Sequence, residues 1–298
     1  MAGHIDNPFD LHPVKDLKGF IGRKDILEKI DSCCLESQVD REPDHIFITG
    51  PYHFGKTSLL NILNIIIKDK GYISLDARPR IEENPEKYFA RIHDELKEEM
   101  RVFYNNIIAV GPFDSTNIKK SFEDLSIIHK KPIILYLDDY DSIDTNLLKR
   151  IDEIFSFIKS FILIFVGERR LDNDFRFDNR LLPVELQRFN IKEITDCIEK
   201  PLMGKHKIDK STIKIINYLT NGHPYAVKLL AYNIYYNYSR KKCESLSFIH
   251  CISKDPEIIN EICSQLRNKC KSEDYTFIKG NMNKLMEAMD LLKLVELI

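Results

Sequence analysis

The spacing of apolar residues changes about two-thirds of the way along the chain. Up to about residue 190, short apolar runs alternate with segments whose apolar positions recur every three or four residues. Lys24 to Leu35 place Ile26, Leu27 and Ile30 at helical spacing, and "HIFIT" (45–49) is a short apolar run that ends at Gly50. That pattern predicts helix, loop and buried strand. Next, "KTSLLNILNIIIKDKG" sets Leu59, Leu60, Ile62, Leu63, Ile65 and Ile66 on a wide helical face and stops at Gly71. "YISLD" (72–76) follows as a second strand. Asn84-Pro85 predicts a helix start, after which Phe89, Ile92, Leu96, Met100 and Phe103 step by three and four. Three more strand candidates are "PIILYLD" (132–138), "FILIFVG" (161–167) and "VELQ" (184–187), with helix-like segments between the first two. Strands alternating with helices predict an α/β fold around a parallel sheet. From about Ile191 the pattern is helical alone, over 191–199, 210–220, 224–239, 255–270 and 284–297, which predicts a helical second unit.

Composition narrows the setting. With 298 residues the chain is long enough for one large domain or two moderate ones. Lys+Arg 44 against Asp+Glu 46 leaves no global field that would draw in nucleic acid or an anionic membrane. The most apolar segment, Ile154 to Gly167, is interrupted by Lys159 and is shorter than the roughly 20 residues of a membrane span. The N-terminus lacks the basic start and apolar run of a secretion signal. The seven cysteines, an odd number with no C-x-x-C pair, suit a reducing compartment. A cytoplasmic protein is the expectation. His250 beside Cys251, with Cys243, Cys263 and Cys270 nearby, matches no zinc-module spacing.

The candidate chemistry lies between the first strand and the helix after it. Gly50-Pro51-Tyr52-His53-Phe54-Gly55-Lys56-Thr57 has the spacing of a phosphate-binding loop, G-x-x-x-x-G-K-T, with Ser58 following. A phosphate needs many hydrogen-bond donors, and backbone N–H groups supply them only where the chain approaches closely, which glycine permits. The positive end of the following helix adds to the attraction. In this arrangement Lys56 reaches the β- and γ-phosphates and Thr57 offers a hydroxyl to Mg²⁺.

Such a site needs an acid at the tip of another buried strand. "IILYLDDYD" offers Asp138 on the metal side, and Asp139 as the carboxylate that orients or activates the attacking water. Glu168-Arg169-Arg170 follows the strand "FILIFVG", where a guanidinium is placed to meet a γ-phosphate or to pair with nearby acids.

In order along the chain, "FIGRKDIL", "GPYHFGKTSLL", "ILYLDDYD", "FVGERR", "LPVELQRFNIKEI" and "NGHPYAVKLLAYNI" resemble the STAND class of P-loop ATPases, which includes the archaeal-type ATPases and relatives of AAA+ replication initiators. The resemblance covers roughly residues 7 to 240. It implies a P-loop NTPase core of five parallel strands, in which the sensor 1 strand separates the strand bearing Asp138 from the one entering the loop. It also implies ATP or ADP with Mg²⁺ as cofactors. Gly22 and Arg23 resemble the glycine-arginine box near the nucleotide, and Arg169 resembles the sensor 1 arginine. Gly222-His223-Pro224 reads from the residues alone as a helix start with proline near N1. In the resemblance it is a G-x-P motif at the start of a lid helix, with Pro224 near the adenine. The expected organisation is a core with an N-terminal extension over 1–198, a helical lid over 199–270 and a C-terminal helical segment over 271–298. That last segment reads either as part of a winged helix or as an amphipathic helix closing the lid.

The expected function is an ATP-binding switch that hydrolyses ATP slowly with Mg²⁺ and whose nucleotide state sets self-association or protein-partner binding. The alternatives are a DNA-associated AAA+-like ATPase, for which "GKHKIDKSTIK" (204–214) is the best basic stretch, and a nucleotide-binding scaffold that does not hydrolyse. A small-molecule kinase is disfavoured by the long helical region after the core. No G-x-S-x-G, H-E-x-x-H or zinc-finger spacing occurs.

Overall fold

The four apolar runs before residue 170 are all strands, and all four are parallel. The computed structural model describes residues 7–36, 45–80, 83–105, 109–129, 131–156, 158–168, 175, 181–204, 206, 208–240, 246–248 and 257–296. Strands β1 (His45–Thr49), β2 (Ile73–Asp76), β3 (Ile133–Asp138), β4 (Phe161–Gly167) and β5 (Leu181–Glu185) form one sheet in the order β2-β3-β4-β1-β5. β4 thus lies between β1 and β3, the order that the resemblance implies. β3 and β4 are almost wholly buried, as continuous apolar runs require when helices cover both faces of a parallel sheet.

Those helices are α1 (Lys24–Glu36), α2 (Lys56–Asp69), α3 (Pro85–Phe103), α4 (Ile118–Ile128) and α5 (Thr145–Phe155), the last preceded by a short 3-10 turn at Tyr140–Ser142. α3 starts as its sequence predicts. Asn84 accepts from Lys87 N, Pro85 occupies the first turn, and Tyr88, Phe89, Ile92, Leu96 and Met100 are buried on one face. Phe89, Phe122 and Phe155, from three different helices, meet in the core below β3 and β4.

Two elements differ from expectation in this part of the chain. β5 runs over Leu181–Glu185 rather than 184–187, with His45 opposite Leu181 and Thr49 opposite Glu185. Pro183 inside the strand argues against a sheet position on sequence grounds, but β5 is an edge strand, where a missing N–H is tolerated. α4 has no counterpart in the sequence reading. It is a short helix capped by Asn117, burying only Ser121, Phe122 and Leu125.

The helical part contains α6 (Ile191–Leu202), α7 (Lys210–Thr220), α8 (Pro224–Ser239), α9 (Glu257–Arg267) and α10 (Ser272–Glu296). Asn190 and Glu193 close a reciprocal capping box at the start of α6. α10 begins at Ser272, twelve residues before the apolar pattern suggests.

Compactness divides the chain into two units. One comprises Arg23–Gly50 and Leu59–Leu186; the other takes in Pro51–Ser58, the described residues up to Gly22 and those from Gln187 onward. The second unit has its own core, including Ile194, Ile198, Ile216, Leu230, Ile262 and Met282. Among the described residues, no helix is long and apolar enough to cross a membrane.

Candidate functional site

β1 delivers the chain to the loop at the C-terminal edge of the sheet. A Cβ on Gly50 would lie 3.0 Å from the Leu186 Cβ, and Leu186 N donates to the Thr49 carbonyl at 2.8 Å. Only glycine fits that approach without a shift. Asp138 ends β3 at the same edge. Thr49 stands opposite Gly167 of β4, and Asp138 opposite Val166, so one strand separates the two ends. At ordinary strand spacing they are about 10 Å apart. This edge is where open parallel sheets place their ligands.

Around Asp138 the charges are unequal. Its side chain is 16% exposed, and burial pushes its pKa up, against a lowering by Arg78. Arg78 Nε donates to both carboxylate oxygens of Asp76, at the end of β2, at 2.9 Å each. Its Nη1 stands 4.0 Å from Asp138 Oδ2. Asp139 adopts the left-handed conformation (φ 56, ψ 41) and its N–H donates to Asp138 Oδ1 at 3.1 Å. The Asp139 carbonyl accepts from Ser142 N and Oγ at 3.0 and 2.8 Å. Asp141 Oδ2 accepts from Glu168 N at 2.6 Å, tying the end of β3 to the end of β4. Arg169 lies outside the described residues.

Within the other unit, Pro51–Ser58 form a turn leading into α2. Phe54 N donates to the Pro51 carbonyl at 3.3 Å. Gly55 has φ +92, and nothing lies within 4 Å of where its Cβ would be. Glycine is required there by the backbone rather than by crowding. Lys56 Nζ donates to the Pro51 carbonyl at 3.0 Å, folding back across the loop. Ser58 Oγ accepts from Val14 N at 3.0 Å, so the N-terminal extension is tied to the first turn of α2.

The same unit brings the loop together with the start of α8. Phe54 is buried, and its ring meets His223 edge-on at 4.9 Å. Arg188 Cζ is 5.5 Å from the centre of the Phe54 ring, and Arg188 pairs with Asp274 in the first turn of α10. Asp274 Oδ2 is 3.9 Å from His223 Nε2. His223 is fully buried and caps α8, with Pro224 in the first turn; burial pushes its pKa down to about 4. The His53 ring lies 4.9 Å from Tyr225 and 4.3 Å from Tyr52. His53 is also held below the usual histidine pKa, first by burial and then by Lys269 and Lys56. The predicted loop residues therefore meet the residues that flank Pro224.

Gly22 lies against the Glu193 side chain of α6. Arg23 is buried in the sheet-bearing unit, and its carbonyl accepts from Leu27 N at the start of α1. No sequence pattern marks Arg78, Arg188 or Asp274 as neighbours of the site. Arg188 and Asp274 are 86 residues apart, and no local spacing signals their pairing.

The donor set fits Mg²⁺. Among the described residues no three His, Cys, Asp or Glu side chains are arranged to hold a metal by themselves. Mg²⁺ is commonly held by one or two carboxylates with phosphate oxygens and water, and Asp138 is a carboxylate at the tip of a buried strand. Cys243, His250 and Cys251 lie outside the described residues, while Cys263 and Cys270 are free thiols.

The sequence matches no protein-family model and none of the curated proteins. Its fold does match solved structures. The Orc1 protein of Aeropyrum pernix in complex with DNA aligns with a TM-score of 0.54 at 14% identity, over 86% of this chain and 69% of that one. Cdc6p from Pyrobaculum aerophilum gives 0.55 at 16%, over 87% and 70%. The RuvB Holliday junction branch migration motor of Thermotoga maritima gives 0.53 at 14%, over 94% and 92%. The chain therefore has a P-loop ATPase-like fold, a five-stranded parallel sheet flanked by helices.

Proposed function

We propose that this chain is an ATP-binding switch of the STAND type that hydrolyses ATP slowly and whose nucleotide state sets self-association or partner binding. One observation carries the reading. The G-x-x-x-x-G-K-T segment turns from the end of β1 into α2, and Asp138 ends β3 at the same sheet edge, one strand over.

The N–H groups of the loop and the first turn of α2 would hold the phosphates, and Lys56 would leave the Pro51 carbonyl for the β- and γ-phosphates. Thr57 and Asp138 would hold Mg²⁺, which would supply positive charge against the phosphates. Asp139 would orient the attacking water, and Arg169 would report the γ-phosphate. Gly22, Arg23 and Pro224 would border the base. We take 199–270 as the lid and 271–298 as a segment that closes it, since α10 brings Asp274 to Arg188 beside Phe54.

Turnover tests hydrolysis and assembly together. ATP hydrolysis per molecule should rise with protein concentration and disappear in Asp139→Asn. Turnover unaffected by that substitution would remove Asp139 from the reaction. A DNA-associated ATPase is the second reading, favoured by the fold likeness to Orc1 in its DNA complex and by exposed Lys210 and Lys214 on α7. Duplex binding that falls steeply with added salt would support it, and no binding at low salt would exclude it.

A further inference from the structure

The loop after β2 is fixed from several directions. Ala77 N donates to the Tyr136 carbonyl at 2.8 Å, carrying the β2–β3 pairing one residue beyond the strand. Tyr88 Oη, buried in α3, donates to the Ala77 carbonyl at 2.9 Å. Arg91 Nη2, also from α3, donates to the Arg78 carbonyl at 2.9 Å. Arg91 is locked in turn by Glu83, whose two oxygens accept from Nε and Nη2 at 2.7 and 2.9 Å. Both side chains of that pair are nearly buried. Arg78 N donates to Asp76 Oδ1 at 3.1 Å.

This scaffolding places one guanidinium. Asp76 takes Nε and Nη2 of Arg78, and Nη1 is left 4.0 Å from Asp138. That distance is too long for a hydrogen bond and short enough for a strong field. The positive charge therefore acts on Asp138 without occupying its oxygens.

We infer that Arg78 is a positioning residue, a tethered counter-cation that steadies Asp138 and weakens its hold on a free divalent cation, so that metal binds together with the nucleotide. The inference rests on the nucleotide-binding reading above. A dication near Asp138 feels repulsion from Arg78, which the phosphates outweigh once nucleotide is present. Without the guanidinium, the negative charges of Asp76 and Asp139 near Asp138 would go uncompensated and would strengthen the attraction of Asp138 for a dication.

Mn²⁺ binding, read by loss of the free-ion electron paramagnetic resonance signal with and without ADP, tests this without reference to turnover. Arg78→Gln should bind Mn²⁺ alone about tenfold more tightly than wild type. Arg78→Lys keeps the charge and should stay within about twofold of wild type. Adding Asp138→Asn to Arg78→Gln should abolish the gain. Wild type that binds Mn²⁺ with ADP, beside an Arg78→Gln variant no tighter for Mn²⁺ alone, would overturn the inference and leave the nucleotide reading standing. No Mn²⁺ uptake by wild type, with or without ADP, would overturn both.

Discussion

Phe54 and His223 meet edge-on at 4.9 Å, joining the phosphate-loop candidate to the first turn of α8 inside one unit. Neither ring is placed by its own neighbours in sequence alone. Arg188 lies near the Phe54 ring, and Asp274 pairs with Arg188 and stands 3.9 Å from His223 Nε2. Through these contacts the loop is linked to a residue of α10, far along the chain.

Replacing that carboxylate should test the link. Asp274→Ala is expected to lower stability by only about 1 kcal/mol, because Arg188 is partly exposed and can be solvated. Nucleotide affinity should fall about fivefold as Phe54 loses its support, against no change for a surface control such as Lys149→Ala. Titration with a fluorescent nucleotide, alongside urea unfolding, separates the two effects. Unchanged affinity would mean that α10 has no part in the loop.

Two glycines with the same backbone angle should respond differently to alanine. Gly204 and Gly222 both have φ +71. Nothing lies within 4 Å of a Cβ on Gly204, whereas a Cβ on Gly222 would be 2.2 Å from the Phe189 carbonyl oxygen. Gly204→Ala should cost about 1 kcal/mol, the left-handed penalty alone. Gly222→Ala should cost about 3 kcal/mol or more, because backbone rather than a flexible side chain must move. Equal losses in urea unfolding would contradict this.

Acid should weaken both units through buried histidines. Burial pushes His129 and His223 down to about 4. Since these folded-state values lie below the unfolded one, the unfolded chain takes up protons first as pH falls. Neither histidine costs stability above about pH 7, and between about 6.5 and 4 each removes about 1.4 kcal/mol per pH unit. His223→Asn retains a side chain able to cap α8 and should flatten the acid slope of the helical unit. Urea unfolding at about pH 7 and about pH 5 would reveal it, and an unchanged slope would exclude His223 as a contributor.

Much of the fold was legible because the strands are buried on both faces and bounded by punctuation. "HIFIT" and "FILIFVG" coincide with β1 and β4 in full, and Asn84-Pro85 marks the start of α3. β5 starts three residues before the expected strand and ends two before it, because Pro183 reads as a strand breaker and only the sheet order reveals that its strand is an edge. α4 is short and buries little. In α10, Gly280 and the polar stretch from Ser272 interrupt the apolar period, although Ile278 and Met282 are buried.

At the site, the loop and the acidic strand tip are local patterns, readable from a few adjacent residues. Arg78, Arg188 and Asp274 act through partners brought near by the fold. Arg78 faces Asp138 only because β2 pairs with β3, and Asp274 meets Arg188 across 86 residues of sequence. Ordinary charged residues in a chain rich in charge carry no mark of such pairing.

The most direct measurement is ATP affinity in the wild type and in Lys56→Ala, with thermal unfolding recorded for both. Wild type should bind ATP, Lys56→Ala should bind it at least about tenfold more weakly, and the two should unfold at similar temperatures. Equal affinity in the two proteins, or no ATP binding by the wild type, would contradict it.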